Sequence, residues 1–146
     1  MIHPNSEISE FDIIIIGATG DLSIRKIIPA LFKRYADGQI PEKSKIYCLA
    51  RQKLDNSSFT QKISQQNKID FKNSKKQKEF FEKINYLCID IKSPDSKNLF
   101  SLQKMLTKDR VRLFYLATAP ELFGVSVKFI RENNLANYKT RIIVEK

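Results

Sequence analysis

Histidine, cysteine and glycine are scarce in this chain, and long apolar runs are absent. The one histidine, His3, stands in a polar stretch ahead of the first apolar segment. A tail position of that kind does not suit a general base. With two cysteines, Cys48 and Cys88, there are too few ligands to complete a metal set. Both cysteines fall inside stretches that read as buried strands, so two reduced core residues are expected, not a disulfide. No apolar run approaches the ~20 residues that cross a bilayer. The opening MIHPNSEISE carries Glu7 and Glu10 and has no apolar core, which excludes a secretory signal. Residues 1–10 therefore read as a disordered leader, and a cytoplasmic location is expected. There is no internal repeat and no low-complexity segment.

What the chain does have is positive charge. Its 26 lysines and arginines outnumber 16 acids, for a formal net charge of +10. The lysines from Lys62 to Lys108 fall on what read as exposed helix faces and loops, with few aromatics between them. That pattern fits a solvated surface better than a nucleic-acid groove, and a basic RNA-binding protein is the least favoured reading. A ligand carrying several phosphates would also gain from the positive field.

Strand and helix patterns alternate along the chain. Phe11–Ile16 is a short β-branched run, as in a strand buried on both faces. Ile24, Ile27, Ile28, Leu31, Phe32 and Tyr35 recur at helical spacing up to a stop at Gly38. Pro29 interrupts them, so a kink or an irregular first turn is expected there. Lys45–Ala50 reads as a second strand. Asp55 or Asn56 caps a helix through about Ile69, and Ser74 caps another through about Ile84. Asn85–Ile89, Val111–Thr118 and Arg141–Glu145 read as three more strands. A helix opened by Pro94 and Asp95 and another over Pro120–Asn133 separate them. Gln65–Lys78 reads as the least ordered stretch. The alternation predicts one α/β domain over residues 11–146, a Rossmann-type doubly wound parallel sheet in three layers (α/β/α).

Between the first strand and the first helix lies Gly17-Ala18-Thr19-Gly20-Asp21. A strand, a glycine turn and a helix start place unpaired helix N–H groups where a pyrophosphate can sit. The three-glycine dinucleotide fingerprint is not intact, because its positions carry Gly17, Thr19 and Leu22. Gly17 and Gly20 read as positions where a positive φ or a close approach demands glycine. Thr19 offers a hydroxyl to phosphate. Asp21 can serve as the helix N-cap, as part of the phosphate loop, or as both. Arg25 and Lys26 can contact phosphate or pair with acidic neighbours. Arg51 follows the second strand, where NAD-selective folds place an acid for the ribose 2′-OH. A guanidinium there suits a 2′-phosphate, with Gln52 and Lys53 adding donors, so NADP is favoured and NAD stays possible.

Residues 17–26, GATGDLSIRK, resemble the cofactor loop of glucose-6-phosphate dehydrogenases, G-A-S-G-D-L-A-x-R-K. Three further segments agree in order. Ala50-Arg51-Gln52 is similar to that family's A-R-x, Arg112–Ala117 with Pro120 to R-L-F-Y-L-A…P, and Arg141–Lys146 to R-I-I-V-E-K. The resemblance implies the N-terminal cofactor-binding domain of a longer enzyme, with the C-terminal substrate domain and its catalytic histidine not included. The complete enzyme, expected to be a homo-oligomer, would oxidise glucose 6-phosphate to 6-phosphogluconolactone on the pentose phosphate route. The chain alone would bind cofactor without catalysis, and no catalytic residue is assigned to it. A truncated chain and a split enzyme completed by a separately encoded C-terminal domain are both open. The alternatives are a stand-alone nucleotide-binding or regulatory module and an inactive gene fragment.

The same resemblance assigns the site. Gly17, Ala18, Thr19, Gly20, Asp21, Leu22 and Ser23 would wrap the pyrophosphate, and Arg51 would hold the 2′-phosphate. Asp90 and Ile91 would contribute to the adenosine pocket, although Asp90 can equally cap Ser93 or a nearby N–H. Ala117–Pro120 lie on the carboxyl edge where open α/β sheets bind ligands. Phe123, where the family often has tyrosine, reads as a core aromatic. Lys146 would contact both substrate and cofactor.

Overall fold

The computed structural model of the protein describes residues 9–67, 74–106 and 108–145. His3, most of the leader, the middle of Gln65–Lys78 and Lys146 lie outside them. Five strands form one parallel sheet: β1 (Phe11–Ile16), β2 (Lys45–Ala50), β3 (Ile84–Cys88), β4 (Val111–Leu116) and β5 (Thr140–Val144). Their order is β3-β2-β1-β4-β5, so the chain winds outward from β1 in both directions. The predicted fold class is the observed one.

Period-2 alternation sends neighbouring strand residues to opposite faces, and each face has its own core. On one, Ile13, Ile15, Ile46 and Cys48 pack against α1 (Ile28–Ala36), α2 (Asn56–Gln66) and α3 (Ser74–Glu82), through Phe32, Phe59, Ile63 and Phe80. On the other, Ile14, Ile16, Leu49 and Phe114 meet Leu102 of α4 (Ser96–Met105) and Phe129 and Ile130 of α5 (Phe123–Glu132). Phe123 packs against this second core, as expected. Phe59, Phe80 and Phe114 are fully buried. Each such side chain stabilises the fold by about 1.5–3 kcal/mol.

The expected irregularity at Pro29 is a widened turn. Ser23–Ile27 forms a π turn in which the Ile28 N–H donates to the Ser23 carbonyl. Pro29 then sits in the first turn of α1, where its missing N–H leaves no acceptor stranded. Several boundaries differ from the sequence reading. α2 ends at Gln66, not Ile69, because the Asn67 side chain turns back to donate to the Ile24 and Ile63 carbonyls at 2.8 and 3.0 Å. α3 stops at Glu82 because Ile84 is already in the sheet, opposite Ile46. β4 ends at Leu116, although the Ala117 N–H still donates to the Ile16 carbonyl at 2.8 Å. Cys48 is buried and its thiol is pushed up by that burial, whereas Cys88, expected in the core, is partly exposed at the end of β3.

At the amino ends of the strands a fully buried carboxylate ties the sheet together. Asp12 Oδ1 accepts from Arg110 at 2.9 Å and from the Lys45 N–H at 3.2 Å. Arg110 also donates to Glu10 at 3.1 Å and to the Lys43 carbonyl at 2.9 Å. No described helix is long and apolar enough to cross a membrane.

Candidate functional site

The order of the sheet reverses between β1 and β4, and the carboxyl ends of these strands part to form a cleft. Its volume is about 380 Å³, and Gly17, Thr19, Gly20, Arg51, Asp90, Ile91, Lys92 and Thr118 are among its lining. A larger apolar recess of about 770 Å³ opens on the α1 side of the sheet, lined by Phe11, Ile13, Leu31, Leu113 and Ile143 among others. That recess also carries Lys26, Arg34, Gln39 and Glu145, but no glycine turn and no helix N-terminus are among its lining. The smaller cleft has both.

The loop after β1 is held from beneath. The Gly17 and Ala18 N–H groups both donate to the Leu49 carbonyl at 3.0 Å, and the Gly20 N–H donates to the Gly17 carbonyl at 3.2 Å. The Ile24 N–H donates to the Gly20 carbonyl at 3.0 Å, which makes Gly20 the start of the helix. Asp21, Leu22 and Ser23 then occupy the first turn, whose N–H groups have no intrahelical acceptor and carry the positive end of the helix dipole.

Glycine is required at one of the two positions. Gly17 has φ +86°, and a Cβ there would lie 3.0 Å from both the Ala117 carbonyl oxygen and Thr118 Cγ2. Gly20 corrects the expectation: its φ is not in the left-handed region, and a Cβ would meet the Gly17 oxygen at an ordinary 3.4 Å. Any demand for glycine at Gly20 must come from a ligand.

The loop's side chains divide. Thr19 and Gly20 face the cleft, whereas Ala18 is fully buried in the α1-side core and Leu22 packs against it. Ser23 is also fully buried, with an unpartnered hydroxyl, so Ala18, Leu22 and Ser23 can serve a ligand only through the backbone. Asp21 does not cap by its side chain. Its carboxylate pairs with Arg25 at 3.4 Å on the surface, the acidic neighbour that was one of the two readings of Arg25.

Arg51 lies on the rim, exposed, and among the described residues no acid pairs with its guanidinium. Its backbone is fixed from β3. The Cys88 thiol donates to the Arg51 carbonyl at 3.3 Å, the Tyr86 hydroxyl to the Gln52 carbonyl, and the Ile89 N–H to the Ala50 carbonyl at 2.9 Å. Burial pushes the Tyr86 phenol up to about 12, so it stays a donor. Asp90 lines the cleft and accepts the Lys92 N–H at 3.0 Å, the cap of a nearby N–H expected of it.

One lining residue was not singled out in the sequence, and a second was read only as part of Ala117–Pro120. Lys92 adds a second cation beside Asp90. Thr118 presents a buried hydroxyl oxygen with no partner, beside Gly17. Its signal was only its position just past β4. Among the described residues no cluster could hold a metal.

A parallel sheet in this order, with a glycine turn and a helix N-terminus at its switch point, defines a dinucleotide-binding domain of the Rossmann class. Residues 14–146 match the family described as "Glucose-6-phosphate dehydrogenase, NAD binding domain", and the chain belongs to that family. It is 31% identical to the glucose-6-phosphate 1-dehydrogenase of Helicobacter pylori, over 94% of this chain and 31% of that protein. With the Rhizobium meliloti enzyme the identity is 34%, over 95% of this chain and 29% of the other. A solved glucose-6-phosphate dehydrogenase in complex with glucose 6-phosphate superposes with a TM-score of 0.77 at 30% identity, over 95% of this chain and 30% of that one. The Mycobacterium avium enzyme shares the fold with a TM-score of 0.81 at 21% identity, over 94% of this chain and 29% of that one. The chain thus spans about 30% of the length of these relatives.

Proposed function

We propose that this chain holds NADP for the oxidation of glucose 6-phosphate to 6-phosphogluconolactone, with hydride passing to the nicotinamide. The observation that carries the reading is the cleft at the switch point. There the glycine turn with its helix N-terminus and an Arg51 that no acid pairs with among the described residues line one volume. In this reading Gly17 to Ser23 cradle the pyrophosphate, chiefly by backbone N–H groups, with Thr19 adding a hydroxyl. Arg51 takes the 2′-phosphate in bidentate fashion. Asp90 and Ile91 face the adenosine. Lys146 is assigned to both cofactor and substrate by family resemblance.

When bound, the cofactor supplies the hydride acceptor; this chain's residues bind and orient it. The 146-residue chain on its own binds without turnover, since it spans about 30% of its relatives' length and has one histidine. A cytoplasmic location and a homo-oligomeric complete enzyme belong to the same reading. Calorimetric titration with NADP and NAD tests the binding, and a glucose 6-phosphate assay on the same preparation tests the inactivity. Absence of NADP binding overturns the site; turnover above a mock preparation overturns the inactivity alone.

A further inference from the structure

The loop between β2 and α2 carries Arg51, Gln52 and Lys53, and one residue of the neighbouring strand holds it at two points. Tyr86 stands on β3 opposite Cys48 of β2, buried in the α1-side core. Its ring packs on the fully buried Phe59 of α2, with centroids 4.8 Å apart. Its hydroxyl donates to the Gln52 carbonyl, near the start of the loop. Its N–H donates to Asn56 Oδ1 at 2.6 Å, where the loop enters α2. Two residues further along β3, the Cys88 thiol donates to the Arg51 carbonyl at 3.3 Å. Arg51 lines the cleft, whereas Tyr86 is not among the lining residues.

We infer that Tyr86 is a positioning residue for cofactor selection: through Gln52 it holds the loop where Arg51 can take a 2′-phosphate. The inference rests on the assignment of the 2′-phosphate to Arg51. Among the described residues no acid pairs with that guanidinium, so the loop backbone is what sets its reach. A loop already ordered before the ligand arrives spares binding the cost of ordering it. The pyrophosphate turn is held separately, by the Leu49 carbonyl beneath Gly17 and Ala18. Loss of the Tyr86 hydroxyl therefore falls on the dinucleotide that uses Arg51 and spares the one that does not. A residue needed only by the core would weaken both alike.

Tyr86→Phe keeps the ring, the Phe59 contact and the N–H bond to Asn56, and removes only the hydroxyl. Calorimetric titration of the unsubstituted chain, Tyr86→Phe, Arg51→Ala and the double variant tests the inference, with NADP, NAD, adenosine 2′,5′-bisphosphate and AMP as ligands. Tyr86→Phe should weaken NADP and the bisphosphate roughly three- to tenfold and leave NAD and AMP nearly unchanged. In the Arg51→Ala background the same substitution should cost NADP nothing further, as for two groups acting on one contact. The ratio of the NADP and NAD constants, taken on one preparation, does not depend on how much of a variant is folded. Equal losses for NADP and NAD overturn the inference, as do losses that add to those of Arg51→Ala. An effective Arg51→Ala beside an inert Tyr86→Phe overturns it alone. An unsubstituted chain that binds no NADP, or an Arg51→Ala that leaves the ratio unchanged, removes the assignment of Arg51 and this inference with it.

Discussion

Gly17 and Thr118 meet where β1 and β4 end: a Cβ on Gly17 would stand 3.0 Å from Thr118 Cγ2. The contact joins the loop after β1 to the segment after β4, the two strands on either side of the topological switch. It also holds Thr118 at the wall of the cleft, its hydroxyl oxygen buried and unpartnered.

Gly17→Ala should therefore damage the fold itself. A methyl at φ +86° is strained, and it would also meet the Ala117 oxygen at 3.0 Å, a backbone atom that cannot swing aside. A loss of about 2 kcal/mol or more is expected in denaturant unfolding. Gly20→Ala, with ordinary φ and a 3.4 Å contact, should leave stability within about 1 kcal/mol and weaken dinucleotide binding instead. Equal stability losses for both variants would refute the distinction.

Arg51→Ala separates the two cofactors. Its guanidinium is on the rim with no acid beside it among the described residues, and its backbone is fixed by Cys88 and Tyr86. Removing a charge-assisted bidentate contact should cost NADP about 1.5–3 kcal/mol, roughly ten- to hundredfold in Kd. NAD, without the 2′-phosphate, should hardly change. Calorimetry showing the same loss for both would remove Arg51 from the role.

Local signals carried the sheet, the glycine turn and Arg51; long-range ones did not. Phe11–Ile16, Gly17 and the position of Arg51 after β2 are each fixed by a few neighbouring residues, and these were legible. The start of β3 at Ile84 depends on its pairing with Ile46, which no local window contains. The support of Arg51 by Cys88 spans 37 residues of sequence. Thr118 becomes notable only because its hydroxyl is buried without a partner, a property of packing. Ala18 and Ser23 belong to a loop read as facing a ligand, yet their own side chains pack inward.

The Asp12–Arg110 pair at the opposite edge predicts a different kind of loss. Asp12 is fully buried and its Oδ2 has no partner, so its charge is balanced by the bonded Arg110 and by Arg112 opposite it in the sheet. Arg110→Ala would remove the bonded cation and leave Arg112 and the Lys45 N–H, at up to about 3 kcal/mol. Adding Asp12→Asn should recover part of the loss by removing the charge. A double variant no more stable than Arg110→Ala, measured by urea unfolding, would show that the charge was not the cause.

Alkaline pH should unfold the chain through its tyrosines. Burial, first of all, pushes the phenols of Tyr35, Tyr47 and Tyr86 up to about 12, from an ordinary value of 10. Below pH 10 both folded and unfolded chains keep these phenol protons, so the three tyrosines leave stability unchanged there. Between about pH 10 and 12 the unfolded chain releases them while the folded one does not, and stability falls as pH rises. Lys83, lowered by burial, works in the opposite sense, while the Tyr115 phenol and the buried Cys48 thiol, both raised, add to the fall. The melting temperature should thus decline steeply across that window. Tyr47→Phe keeps the ring but loses the ionisation and the hydrogen bond to the Met105 carbonyl at 3.1 Å. It should be about 1 kcal/mol less stable at neutral pH and decline less steeply above pH 10. An unchanged slope in Tyr47→Phe, with phenolate absorbance read alongside, would separate the alkaline transition from this residue.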